Sequence, residues 1–279
     1  MTIDGAAKVK IKLLNTGQGM AYVEAGAGEA LVFVHGSLCD YRYWQPQLAA
    51  LSDSHRTVAP SLSHHHPRLP SAANSAFSWR NHVALLGAFL GKLGAARIHL
   101  VGHSRGACIA YQVAAAHPRL LTSLTLVDPG GPIDAAEAEP LTAEVVALRA
   151  RAAALIAEGR VDEGLMLFVD SVSQPGLWAR SLPMFQAMAR DNAATLAPQL
   201  ADPLPAYLPE TARAIACPTL LVDGSRSPAM YQRNADWLAQ QLPAAQRATI
   251  AGASHGMTST HAQAFNRTLR TFLGDVRAT

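Results

Sequence analysis

The sequence has few charged residues and no run of basic ones. Charged side chains make up 15 % of the 279 residues, and 23 Lys and Arg against 20 Asp and Glu leave a net charge of +3. So small an excess, with no Lys/Arg run or stripe, gives no basis for nucleic-acid binding. Hydrophobic residues make up 49 % of the chain, which allows a sizeable core in one large or two small domains and excludes wholesale disorder.

Long apolar stretches and cysteine pairs are also missing. The longest purely apolar stretch, Val83 to Leu90, is far shorter than the roughly 18 residues that a membrane span needs. The first ten residues have no apolar segment after their charges, so no secretory signal is expected. Cys39, Cys108 and Cys217 are far apart, which argues against a disulfide framework or a zinc knuckle. We expect a cytoplasmic globular protein that does not associate with membranes.

Motifs for nucleotide cofactors are absent as well. Neither G-x-x-x-x-G-K-[ST] nor G-x-G-x-x-G occurs, so no nucleotide cofactor is implied. One histidine-rich stretch runs from Ser63 to Pro67 (SHHHP). Three adjacent histidines cannot all face one ion from a strand or a helix, so we interpret the stretch as a polar loop. The sequence predicts no cofactor and no metal.

What the chain does contain is an alternation of short apolar runs and helical stretches. Such alternation favours a mostly parallel sheet covered by helices on both faces. Two segments with period-two alternation predict an initial antiparallel pair: Ala7–Leu14 and Met20–Glu24. Further strands are predicted at Leu31–Val34, Arg56–Pro60, Arg97–Val101, Leu124–Val127, Thr219–Val222 and Gln246–Ile250. Helices are predicted at Tyr43–Leu51, Phe77–Leu93, Gly106–Ala116, Met230–Leu242 and His261–Leu273.

One long segment interrupts this rhythm. Between Asp128 and Cys217 no convincing strand occurs, and three stretches have helical patterns: Glu137–Gly159, Arg160–Val172 and Pro183–Leu200. We interpret residues 129–216 as a helical cap over one end of the sheet, and residues 1–128 and 217–279 as the core domain. The alternative is a set of ordinary crossover helices.

The strongest motif is Gly102-His103-Ser104-Arg105-Gly106, which fits G-x-S-x-G. A predicted strand leads into it and a predicted helix leads out, the context that a nucleophile elbow requires. The serine hydroxyl is then exposed above the sheet, at the positive end of a helix. We predict Ser104 as a nucleophile.

A serine nucleophile needs a base and an oxyanion hole. His255 follows the last predicted strand, in Ala253-Ser254-His255-Gly256, and is the candidate base. The loop Val34-His35-Gly36-Ser37 ends a buried strand, so we predict the backbone amides of Ser37 and Arg105 as oxyanion donors. His35 is expected to hold this loop by hydrogen bonds.

The order of HGS, GHSRG and a late GASHG, together with the strand–helix alternation, resembles the α/β-hydrolase superfamily over nearly the whole chain. The resemblance implies an eight-stranded, mostly parallel sheet with an antiparallel second strand. It also implies a helical cap inserted after the sixth strand. Because this fold carries many chemistries, the resemblance does not name a substrate.

The third member of the triad departs from the usual family pattern. Members usually carry the acid after the seventh strand in G-x-x-D, but here Ser227 stands at that position. Asp128, at the end of the sixth strand, matches a second site that some members use, and we predict it as the triad acid. Asp223 is the alternative; a Ser–His dyad and an Asp128 that merely bonds loop amides are further possibilities.

Together these residues predict a cofactor-independent serine hydrolase that acts on a small ester or lactone. Leu38, Trp178 and Phe185 are expected to line its substrate site. Three alternatives share the fold: a carbon–carbon bond hydrolase, a cofactor-free dioxygenase and a non-catalytic ligand receptor. The sequence does not predict the oligomeric state.

Overall fold

The computed structural model describes residues 10–16, 19–70, 75–134 and 142–278. Its strands form an eight-stranded sheet in the order β1-β2-β4-β3-β5-β6-β7-β8. Strand β2 runs antiparallel to β1 and β4, whereas the remaining neighbours pair in parallel. The strands are β1 (Lys12–Leu14), β2 (Met20–Ala25), β3 (Ala30–Val34), β4 (Arg56–Pro60), β5 (Ile98–His103), β6 (Ser123–Val127), β7 (Thr219–Gly224) and β8 (Ala245–Ile250). The predicted eight-stranded, mostly parallel sheet with flanking helices, including its antiparallel second strand, is confirmed.

Helices cover both faces of this sheet. Those of the core are α1 (Gln45–Leu51), α2 (Trp79–Lys92), α3 (Arg105–Ala116), α10 (Ala229–Gln241), α11 (Met257–Thr260) and α12 (Ala262–Ala278). Those between β6 and β7 are α4 (Ala143–Ala157), α5 (Val161–Val172), α6 (Leu177–Arg180), α7 (Pro183–Asn192), α8 (Leu196–Ala201) and α9 (Pro209–Arg213). We call α4–α9 the inserted helices.

Strand β3 shows how the sheet is buried on both faces. Val32 and Val34 belong to a core cluster with residues of α2, α3 and α10. Leu31 and Phe33 point to the other face and pack with residues of α1 and α12. Fully burying one such side chain contributes about 1.5–3 kcal/mol, which explains why the strand is a continuous apolar run rather than an alternating one.

The inserted helices have a small apolar cluster of their own and contact the loops after β3 and β4. Leu38, which follows β3, packs in that cluster with Phe168 and Trp178. Asn192 Nδ2 donates to Asp40 Oδ2 at 2.8 Å, and its Oδ1 accepts from His66 N at 2.7 Å. The helical segment therefore lies against the carboxyl ends of these strands; its division from the core at residues 129 and 216 stays a prediction.

Several helix boundaries differ from the sequence-based ones. The predicted helix Pro183–Leu200 is divided by a short 3-10 helix at Ala193–Thr195 into α7 and α8. Three short helices, α6, α9 and α11, were not predicted, because four or five residues carry too little periodicity. Residues 7–9 of the predicted first strand and residues 137–141 of a predicted helix lie outside the described residues.

Candidate active site

Ser104 lies on a sharp turn between β5 and α3. Its backbone has φ +55° and ψ −122°, a conformation that a residue with a side chain rarely adopts. The Ser104 amide donates to the Val127 carbonyl at 3.0 Å, and the Ser104 carbonyl accepts from the Ala107 amide at 3.0 Å. These bonds to β6 and α3 hold the turn, and Ser104 stays partly exposed to solvent while its chain neighbours are buried.

The turn requires both glycines of the G-x-S-x-G motif, because a Cβ atom at either position would clash with the backbone. A Cβ atom on Gly102 would lie 2.4 Å from the Gly106 carbonyl oxygen. A Cβ atom on Gly106 would lie 2.3 Å from the His35 carbonyl oxygen. Since both obstacles are backbone atoms, no side-chain rotation relieves either clash.

His255 is oriented by Asp128. His255 Nδ1 lies 2.9 Å from Asp128 Oδ2, and because a carboxylate only accepts, Nδ1 is the donor. The proton on Nδ1 leaves Nε2 as an acceptor, the tautomer that a general base requires. Asp128 is fully buried and has φ +42°, and its amide donates to the Val222 carbonyl at 2.8 Å.

The His255 loop is tied directly to the turn that carries Ser104. His103, the residue before Ser104, donates from Nε2 to the His255 carbonyl at 2.8 Å. Burial holds the pKa of His103 well below its ordinary value, and nearby His255 lowers it further. His103 is therefore neutral, and its hydrogen bond links the Ser104 turn to the His255 loop.

Tyr231, on α10, stacks on the His255 ring. The two ring centroids are 4.1 Å apart and the ring planes are inclined by 14°. Burial raises the pKa of Tyr231, as does the nearby Asp128 charge, whereas a hydrogen-bonding interaction with Ser104 acts in the opposite direction. Tyr231 thus packs on the His255 ring as a neutral side chain.

The loop after β3 abuts Ser104. A Cβ atom on Gly36 would lie 3.0 Å from the Ser104 Cβ, so the Gly36-Ser37 backbone passes directly beside the serine. His35 Nδ1 donates to the Gly36 carbonyl at 2.9 Å, and His35 Nε2 accepts from the Leu62 amide at 3.0 Å. These two hydrogen bonds of the His35 ring hold the loop, as the sequence predicts.

Arg105 follows Ser104 directly in the chain. It is the first residue of α3, where backbone amides lack partners within the helix. Its buried guanidinium turns away and forms an ion pair with Asp202, Nη2 to Oδ2 at 3.0 Å. Asp202 also accepts from the Trp79 amide at 2.6 Å, which joins α2, α3 and the end of the inserted segment.

The sequence also shows to which family the chain belongs. Residues 31–268 match the family model of the alpha/beta hydrolases. The chain belongs to the alpha/beta hydrolase family.

Individual relatives of this alpha/beta hydrolase are distant. RutD of Stutzerimonas stutzeri (strain A1501), which is named as a carbamate hydrolase, is 27 % identical over 257 residues, covering 84 % of this chain and 87 % of RutD. BODYGUARD 3 of Arabidopsis thaliana, named as a lysophospholipase, is 34 % identical over 108 residues, and the match spans 37 % of this chain but only 22 % of that protein. Short matches of this kind do not transfer an activity.

Solved structures with the same fold are numerous. The enol-lactonase from Burkholderia xenovorans LB400 superposes with a TM-score of 0.75 at 22 % identity, over 95 % of this chain and 100 % of that one. The bromoperoxidase from Bacillus anthracis superposes with a TM-score of 0.79 at 18 % identity, over 95 % and 100 % of the two chains. At these identities the likeness shows the fold alone.

The alternative acid of this alpha/beta hydrolase, Asp223, is engaged elsewhere. It forms an ion pair with Arg247, which also contacts Asp236. The structure instead brings Ser227, which stands at the usual position of the family acid, against Asp128. Ser227 Oγ donates to Asp128 Oδ2 at 2.7 Å and accepts from the Gly224 amide at 3.1 Å.

The three residues expected to line the substrate site lie where the inserted helices meet the core. Leu38 and Trp178 are buried in the cluster of the inserted helices, and Phe185 packs against that cluster and the core. Their contact with a substrate stays a prediction. The described part of the chain has no helix long and apolar enough to cross a membrane.

One group of residues far from Ser104 has the composition of a metal site. Among the described residues, Glu29, His55 and His99 bring their ligand atoms within 4.8 Å of one another, near the amino ends of β3 and β5. Arg277 lies among them, with Nε 3.0 Å from Glu29 Oε2 and Nη2 3.1 Å from His55 Nε2. The arginine already supplies the positive charge that a cation would bring.

Sequence reasoning did not find the roles of Ser227, Tyr231 and His103. The G-x-x-D position pointed to Ser227, but only as a missing acid. Tyr231 has no sequence signal beyond a helical apolar pattern, and His103 fills a variable position of the elbow motif. Each role depends on contacts between residues far apart in the chain.

Proposed function

We propose that this protein is a serine hydrolase that cleaves a small carboxylic ester or lactone through an acyl-enzyme intermediate. The observation that carries the proposal is the pairing of a strained Ser104 turn with a His255–Asp128 hydrogen bond of 2.9 Å at the same end of the sheet. The relatives support hydrolysis in general terms, because their names include a carbamate hydrolase and an enol-lactonase.

In the first half of the reaction, Ser104 Oγ attacks the substrate carbonyl carbon. His255 Nε2 takes the hydroxyl proton, and Asp128 stabilises the imidazolium through Nδ1. The amides of Ser37 and Arg105 donate to the oxyanion of the tetrahedral intermediate. Collapse of that intermediate breaks the carbonyl carbon–oxygen bond, and the leaving alkoxide receives the proton from His255.

In the second half, a water molecule hydrolyses the acyl-enzyme. His255 Nε2 removes a proton from the water, whose oxygen attacks the acyl carbon. The second tetrahedral intermediate expels Ser104 Oγ, which regains its proton from His255, and the carboxylic acid leaves. For a lactone, the acid and the alcohol remain in one product.

Hydrolysis of p-nitrophenyl esters across short and medium acyl chains tests the proposal. The wild-type protein should turn over at least one of them, and Ser104→Ala should reduce the rate by several orders of magnitude. A Ser104→Ala variant that folds and keeps the wild-type rate would overturn the assignment. Oxygen uptake on addition of an aromatic substrate, without ester turnover, would instead indicate the alternative dioxygenase.

A further inference from the structure

Arg149, on α4, differs from the other sheltered arginines of the protein. In the described part of the chain four arginines are not exposed: Arg42, Arg56, Arg105 and Arg149. The first three each form an ion pair with a carboxylate, from Asp40, Glu24 and Asp202 respectively. For Arg149, neither an ion pair nor a hydrogen bond is found among the described residues.

The Arg149 side chain packs beside an aromatic ring. Its Nε is sealed from solvent and has no hydrogen-bond partner, and the guanidinium carbon lies 5.9 Å from the centre of the Phe168 ring. Phe168 belongs to the same cluster as Leu38, the residue next to the predicted oxyanion donor Ser37. The cation–π contact with Phe168 offsets part of the desolvation of the guanidinium, but a buried Nε–H without an acceptor remains unfavourable.

The charge of Arg149 also acts on the catalytic side of the inserted helices. Burial lowers the pKa of Arg149, and an electrostatic interaction with Tyr231 opposes that effect. Tyr231 stacks on His255 and interacts with Ser104. Arg149 therefore interacts electrostatically with the residue that stacks on His255.

We propose that Arg149 binds a free carboxylate of the substrate, so that the substrate is a half-ester of a dicarboxylic acid or a lactone that carries a carboxylate. This inference rests on the proposed function and narrows its substrate class. A guanidinium binds a carboxylate through two parallel hydrogen bonds. Such binding gives Arg149 the hydrogen-bond acceptor that it lacks within the protein. It also fixes which end of the substrate faces Ser104.

A pair of matched esters tests this proposal. The substrates are 4-nitrophenyl hydrogen glutarate and its methyl ester, which differ only in the free carboxylate. We expect the wild-type protein to prefer the acid in kcat/KM by tenfold or more, with most of the difference in KM. Arg149→Gln should remove at least tenfold of that preference, mainly through a higher KM for the acid.

Arg151→Gln is the matched control, because Arg151 is on the same helix, exposed and paired with Glu158 at 3.4 Å. It should keep the wild-type preference. The proposal is overturned if Arg149→Gln retains the preference, or if it slows both esters equally. Circular dichroism of each variant separates these outcomes from misfolding, and Arg149→Lys, which keeps the charge, should retain part of the preference.

A binding experiment separates this proposal from the proposed hydrolysis. If neither ester is hydrolysed, the hydrolase proposal fails, but titration calorimetry with dicarboxylates of three to six carbons still reports on the Arg149 site. Binding that disappears in Arg149→Gln and persists in Arg151→Gln supports the carboxylate site. No binding to the wild type, or equal binding to both variants, overturns it.

Discussion

Ser227 donates its hydroxyl proton to Oδ2 of Asp128 across 2.7 Å, and the same oxygen accepts the Nδ1 proton of His255 at 2.9 Å. One carboxylate oxygen thus holds both residues. In most relatives the acid is expected at the position of Ser227; here the serine at that position supports an acid on the neighbouring strand. The Gly224 amide fixes the hydroxyl at 3.1 Å, so the proton of Ser227 points to Asp128.

Removing this support should impair the base without abolishing it. We expect Ser227→Ala to lower kcat about tenfold, because a hydrogen bond to a charged group contributes about 1.5–3 kcal/mol. Without the donor, Asp128 becomes a stronger acceptor for His255, so the acidic limb of the kcat/KM pH profile should move to higher pH. Ser225→Ala, on the same loop, is the control, since Ser225 Oγ bonds only the Gly252 amide among the described residues. An unchanged pH profile in Ser227→Ala would contradict this positioning role.

The choice between the two candidate acids gives a second prediction. Asp128→Asn should lower kcat by about 10³–10⁴-fold, because the amide cannot hold His255 in the required tautomer with the same strength. Asp223→Asn should stay within a few-fold of the wild type, because Asp223 pairs with Arg247. Steady-state ester hydrolysis by both variants decides the matter, and the reverse order of effects would show that Asp223 is the acid.

The glycines of two helices give a matched test of packing at the elbow. Gly106→Ala would place a methyl group 2.3 Å from the His35 carbonyl oxygen, whereas a methyl group on Gly91 of α2 meets nothing within 4 Å. We expect Gly106→Ala to lower the free energy of unfolding by about 1–3 kcal/mol. Gly91→Ala should raise it by up to about 1 kcal/mol. Urea unfolding measures both changes; equal stability of the two variants would mean that the elbow is not tightly packed.

Buried histidines should make the protein sensitive to acid. Burial lowers the pKa of His82 to about 3, whereas an unfolded chain binds the same proton near pH 6.5, a value of about 6.5 being ordinary. The stability that this residue contributes is therefore full above pH 6.5 and is lost as the pH falls toward 3. The expected slope for one such proton is about 1.4 kcal/mol per pH unit.

His82→Gln removes this proton and keeps a donor for the Ser63 carbonyl, which His82 Nε2 contacts at 3.2 Å. Urea unfolding of the variant and the wild type at pH 7.5, 6.5, 5.5 and 4.5 gives the two slopes. We expect the variant to lose less stability per pH unit than the wild type. Parallel slopes would show that His82 does not contribute.

Much of the fold could be predicted because its signals are local. The buried run Leu31–Val34 corresponds to β3, and Ser78 caps α2 where the predicted helix begins, accepting from the Asn81 amide at 3.1 Å. The elbow glycines likewise carry their meaning in five residues. These features depend on neighbours in the chain, which a sequence pattern records.

The rest of the site depends on contacts that no local pattern records. Tyr231 is 24 residues before His255 in the chain and stacks on it only because α10 and the loop after β8 meet in space. The split of Pro183–Leu200 at Ala193–Thr195 is different, because Pro198 has no amide hydrogen to donate to the carbonyl of Ala194 and so disfavours a continuous helix there. Arg149 lies at an ordinary position of a helix, and only the structure shows that its Nε has no hydrogen-bond partner.

The most direct test of the central claim is labelling with a fluorophosphonate followed by peptide mass spectrometry. A triad built from Ser104, His255 and Asp128 predicts one adduct per chain, located on Ser104. Ser104→Ala should abolish the adduct, and His255→Gln should slow its formation strongly. An adduct on another residue, or undiminished labelling of Ser104→Ala, would contradict the account.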